Sequence, residues 1–98
     1  MTDPRVTDPR VTELRAAVSR LRRRLAAHPA EFADRGTAEE ELAALDAMAA
    51  TGTPDIARLR RSLLLVAGAI GSVSALSSAL ADVRRAVDLF GRPVRRSV

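Results

Sequence analysis

The chain contains no cysteine, lysine, asparagine, glutamine, tyrosine or tryptophan. Without cysteine there is no disulfide framework and no thiolate metal site. Without lysine there is no P-loop, whose Gly-rich turn ends in Lys-Ser or Lys-Thr. Without asparagine or glutamine the bidentate readout of adenine is missing. Aromatic content is 2%, supplied by Phe32 and Phe90 alone. A core must therefore be assembled from Leu, Val, Ile and Ala, side chains that pack closely but each bury little area. The first ten residues, MTDPRVTDPR, hold no apolar run, so no cleaved secretory signal is expected.

What is present is arginine and alanine. All sixteen basic residues are Arg, and the net charge is +4 over 98 residues. Such a bias follows from GC-rich codons; selection for the phosphate-matching guanidinium fork is the competing reading. The charge is unevenly laid down. Residues 1–36 carry +3, residues 37–57 carry −5 with no Arg, and residues 58–98 carry +6. The length admits one domain, 1–98, with 1–7 and 92–98 expected as flexible tails.

One stretch organises the rest. Ser62–Ala81, SLLLVAGAIGSVSALSSALA, has no charged residue, and arginines precede and follow it. It is apolar on every helical face, so it is expected to be surrounded by protein. Its twenty residues would also span a bilayer core of roughly 30 Å. Five serines and two glycines make it marginally hydrophobic for that role, and no Trp or Tyr belt flanks it.

The apolar spacing predicts helices. Asp8 and Pro9 form a cap followed by a first-turn proline. Val11, Leu14, Val18, Leu21 and Leu25 then recur at 3-4-3-4, up to His28-Pro29, which predicts a helix over 9–27. Thr37 and Glu40 read as a capping box, and Glu39–Glu41 as acids at a helix N-terminus. Ala38, Leu42, Leu45 and Ala49 give the stripe of a helix over 38–50, ended by Thr51-Gly52. Phe32, in the connection, is a candidate apolar plug. Thr53-Pro54 repeats the cap signal and predicts a helix over 54–70.

Two seams follow, Ile56, Leu59, Leu63, Val66, Ile70, Val73 and then Val73, Leu76, Leu80, Val83, Val87, Phe90. They join with a three-residue discontinuity beside Gly68 and Gly71. A break near 68–74 and a fourth helix over 73–90 are expected, with one kinked helix over 54–90 as the alternative. No segment alternates with period two, so the fold class is all-α, a small bundle of three to four helices.

Chemistry is thinly supported. His28 is the lone imidazole, at home as a helix C-terminal cation. No Ser lies in a G-x-S-x-G turn. The few carboxylates do not cluster with His, so no metal and no cofactor are expected. Gly68-Ala-Ile-Gly71-Ser72 lacks the lysine of a phosphate loop. Small residues at 67, 71 and 75, and at 68 and 72, point instead to close helix approach. The clusters Arg20, Arg22, Arg23, Arg24 and Arg58, Arg60, Arg61 could neutralise phosphates, but no aromatics are interleaved for stacking.

The segments RRSLLLVAGAIGSVSAL (60–76) and LAAHPAEFADRGTAEEELAALDAM (25–48) resemble those of small Arg- and Ala-rich proteins of high-GC actinobacteria, a domain of unknown function. The resemblance implies a small helical bacterial protein and carries over no active site. The expected function is a non-enzymatic, cytoplasmic helical protein–protein interaction module that self-associates through the seams Ile56–Phe90. Nucleic-acid binding through the Arg clusters and membrane association through 62–81 are the alternatives. Helix one's arginines are also expected near the acids of helix two.

Overall fold

The computed structural model describes residues 8–29 and 33–91. The expected tails 1–7 and 92–98, and the expected plug at Phe32, lie outside the described residues. Four α-helices follow one another: α1 Pro9–Ala27, α2 Arg35–Ala50, α3 Ile56–Ile70 and α4 Ser77–Gly91, with a single 3-10 turn at Ser74–Leu76 leading into α4. Among the described residues there is no strand. The fold is an all-α small helical bundle.

α1 starts as its sequence dictates. The Asp8 carboxylate accepts from the backbone N–H of Arg10 at 2.9 Å, and Pro9 needs no partner for a missing N–H. The other three starts depart from expectation; α4, expected from 73, begins at Ser77, because Val73 is extended and Ser74–Leu76 form a 3-10 turn. α2 begins at Arg35, before Thr37, so the capping box does not form, and Asp34 at the cap position makes no side-chain cap bond. A tertiary tie takes its place: the Arg35 guanidinium donates to the Leu25 carbonyl at the end of α1. α3 begins at Ile56, because Asp55 accepts from Ala57 N–H at 3.0 Å and a carboxylate caps better than Thr53. α2 ends at Ala50, and just past its cap Thr51 comes Gly52, whose φ of +83° suits the residue without a Cβ.

The break after α3 is complete. Gly71 N–H closes the last bond, to Ala67 O at 2.8 Å; Val73 is then extended, and the chain reverses. A methyl group at Gly71 would collide with the Ala67 carbonyl oxygen. The alternative of one kinked helix over 54–90 is therefore replaced by an antiparallel α3–α4 hairpin. The three-residue discontinuity in the seams marks the place where the chain changes helix.

Each helix packs on two neighbours: α1 on α2 and α4, α3 on α2 and α4. α1 and α3 thus lie across the diagonal. Named contacts fix the directions. Arg15 near the start of α1 bonds Asp46 near the end of α2. Arg10 at the start of α1 stacks over Phe90 at the end of α4, 4.9 Å from the ring centroid. Arg60, early in α3, lies against Gly91 at the end of α4. Neighbouring helices are antiparallel, as short connections demand.

Between them lies one core. All five seam residues of α1, the four stripe residues of α2, and Leu59, Leu63, Val66 and Ile70 of α3 are buried, with Leu76, Leu80, Val83 and Val87 opposite. Each fully buried Leu, Ile or Val is worth about 1.5–3 kcal/mol relative to exposure, so this seam set is the main source of stability. No described buried side-chain nitrogen or oxygen lacks a hydrogen-bond partner.

Within a single chain the stretch 62–81 is not surrounded on every side. The turn at Gly71 and Ser72 divides it between α3 and the approach to α4, and only one face of each part is buried. On α3 the opposite face is open, with Leu64 72% and Leu65 44% exposed. Among the described residues no helix is long and apolar enough to cross a membrane.

Candidate interaction surface

The seam residues are mostly used inside the molecule. Leu59, Leu63, Val66, Ile70, Leu76, Leu80, Val83 and Val87 are buried in the bundle's own core, and Ile56, Val73 and Phe90 are half-buried against it. They hold the four helices together and leave no apolar seam free for a partner. What remains apolar and open is a face that the heptad spacing did not single out. Ala57, Arg61, Leu64 and Gly68 recur at 4-3-4 along α3, with Leu65 beside them, and all five are exposed. Leu64 and Leu65 are the large hydrophobic side chains that the described surface exposes. Outside its own helix backbone and chain neighbours, no atom stands within 4 Å of the Cβ position of Gly68, so that glycine serves no packing need within the molecule.

The charges around this face are sorted by sign. α3 contains Arg58, Arg60 and Arg61 and no acid. Arg60 reaches Gly91, where its cation meets the C-terminal end of α4. Arg58 and Arg61 enter no ion pair among the described residues. On α2, the acids Glu39, Glu40 and Glu41 fall beyond the first turn, because the helix starts at Arg35. A macrodipole fades within one turn, so the helix start does not account for them. They too form no ion pair among the described residues, whereas Asp46 on the same helix bonds Arg15 Nε at 3.1 Å.

The two arginine clusters do not merge. Arg20, Arg22, Arg23 and Arg24 sit on α1, and Arg58, Arg60 and Arg61 sit on α3, across the diagonal. All seven are exposed. Within the first cluster Arg20 bonds Asp82 at 3.0 Å and Arg23 donates to Ser19 at 3.0 Å. Asp82 also takes Arg85, which makes a small cross-helix network.

That network lines a groove of about 500 Å³ between α1 and α4, together with Glu13 and Asp88. It holds no hydroxyl, thiol or imidazole for nucleophilic or acid–base chemistry. His28, the single histidine, follows the last turn of α1, its N–H bonding the Leu25 carbonyl. Among the described residues no three His, Cys, Asp or Glu are grouped to hold a metal.

One shifted titration stands out. The Asp8 carboxyl is lowered, first by its side-chain bonds from Arg10, then by the Arg10 backbone N–H, and the Arg10 guanidinium is raised in turn. This pair pins the start of α1, and Arg10 then covers Phe90. It is a structural clamp, remote from the open face of α3.

Comparison with known proteins adds one relationship. No curated protein and no solved structure matches the chain. A model described as a family of unknown function, DUF5955, matches residues 3–91, nearly the whole sequence, and the chain belongs to that family.

Proposed function

We propose that the protein is a non-enzymatic helical interaction module of the cytoplasm, and that the outer face of α3 is where it meets another protein. The observation that carries this reading is Leu64, 72% exposed at the middle of a helix whose Leu59, Leu63, Val66 and Ile70 are buried. Single exposed leucines are common on protein surfaces. Here two adjacent ones lie beside a glycine that costs helix stability without serving the fold, and just after Arg58 and Arg61, which enter no ion pair among the described residues. A helical partner laid along this face would cover both leucines, and Gly68 would allow its backbone to come close. The absence of cysteine suits a reducing compartment.

The test is a photo-crosslinking residue placed at Leu64 in living cells, with a second at the exposed Ala16 of α1 as control. A discrete protein adduct from position 64 and none from position 16 is the expected result. Adducts confined to nucleic acid or to lipid would replace this reading with an Arg-mediated or membrane-surface one. An unmodified chain would remove it.

A further inference from the structure

Resting on that reading, we infer that the occupant of the α3 face is a second copy of this chain, docked antiparallel about a two-fold axis near Leu64 and Leu65. The charge layout carries the inference. A two-fold dimer requires a surface complementary to itself when reversed end to end. α3 has this property. Its leucines sit near the middle of Ile56–Ile70, its arginines lie toward the N-terminal end, and the C-terminal part carries no charge. Reversing one copy against the other sets leucines on leucines. It also brings Arg58 and Arg61 of each copy to the C-terminal half of the other's α3. A helix C-terminus bears partial negative charge.

The neighbouring helix completes the match. α2 runs antiparallel to α3, so its N-terminal part, with Glu39, Glu40 and Glu41, lies beside the C-terminal half of α3; Asp46 and Glu39 mark the flank of α2 toward α1, which puts Glu41 on the flank toward α3. In the reversed pair, the arginines of one copy therefore face the end of the partner that carries those acids. Neither group enters an ion pair among the described residues of a single chain. The same pairing occurs twice by symmetry. Gly68 falls opposite Arg61 of the other copy, where the lack of a side chain leaves room for the arginine stem.

The experiment measures mass by light scattering from micromolar to millimolar chain. Twice 10.5 kDa is expected at the upper end. Leu64→Glu should give the single-chain mass while keeping its helical signal and melt, because that side chain is outside the core. Arg61→Glu and Glu41→Arg should each weaken dimerisation by about tenfold, since two symmetric pairs are lost at once. The double variant should regain most of it. The chain has no cysteine of its own, so a short thiol crosslinker should join Leu64→Cys copies and leave Ala16→Cys copies single.

A single-chain mass at every concentration overturns the inference. So does a dimer indifferent to Leu64→Glu, or one in which the double charge reversal is no better than the singles. The broader reading fails separately. A foreign-protein adduct at position 64 on a chain that stays single leaves the interaction surface standing and removes only the second copy.

Discussion

Asp8 is where a single residue does most to set local structure. Its carboxylate caps α1 through Arg10 N–H and pairs with the Arg10 guanidinium at 2.6 Å. Its pKa is lowered in the fold, so its contribution is fully present above the ordinary Asp value and is lost as pH falls through the lowered one. Asn caps as well as Asp but carries no charge. Asp8→Asn should therefore melt below the parent at neutral pH, with the gap closing in acid. A gap that stays constant across the acid range would show that the charge is not its source. Two glycines make a matching pair at the same scale. Gly52→Ala should cost about 1 kcal/mol, because a side chain there resists the left-handed backbone. Gly68→Ala should stabilise the isolated chain by about 0.5–1 kcal/mol, since the position is helical and open. Chemical denaturation at high dilution distinguishes the two signs.

At the scale of the helices, antiparallel neighbours are oriented by few polar ties. Arg15–Asp46 joins α1 to α2, and Arg20–Asp82 joins α1 to α4. Both pairs are half open to water, so they direct pairing more than they stabilise it. A double-mutant cycle on Arg15 and Asp46 should give a coupling of under about 1 kcal/mol, shrinking with added salt. A larger, salt-insensitive coupling would mean that the pair is shielded in solution by something the isolated chain lacks. The Arg15–Asp46 bond was expected from the −5 segment following a basic helix. Arg20–Asp82 was not, because 62 residues separate its partners and only the closing of the bundle brings α4 beside α1.

For the molecule as a whole, stability rests on one aliphatic core, and Ile70 tests it. Ile70 is fully buried at the end of α3, while Ser78 is exposed at the start of α4. Ile70→Asp buries an unpaired carboxylate, at a cost of several kcal/mol. The lost side chain adds roughly 2 kcal/mol or more. Against a domain stability of about 5–15 kcal/mol, that change should unfold the protein. Ser78→Asp should cost little. Melts followed by circular dichroism decide, and an Ile70→Asp variant that melts like the parent would refute this core.

Much of the architecture was written in the spacing of apolar residues. Val11 to Leu25, Ala38 to Ala49, and the two seams from Ile56 to Phe90 each define one buried stripe. A helix must turn such a stripe inward whatever its neighbours. The break near Gly71 was legible as a three-residue shift of the seam beside two glycines, but such a shift also fits one kinked helix over 54–90, and the packed hairpin decided between them. The starts of α2 and α3 were less so. Several cap-competent residues stand close together there, Asp34 and Thr37 around the start of α2, Thr53 and Asp55 before α3. Tertiary ties such as Arg35 to Leu25 and local strength of acceptor chose between them.

The candidate surface was hidden altogether. In the sequence the seam spacing takes Leu63 and passes over Leu64 and Leu65, but Ser62–Ala81 has no charged face to mark a side of it as open. Periodicity determined which residues each helix buries together. Only the packed bundle decided that α2 and α4 would cover one side of α3 and leave the other to water, because burial depends on where neighbouring helices stand, and that is set by the chain's reversals rather than by any local stretch of it.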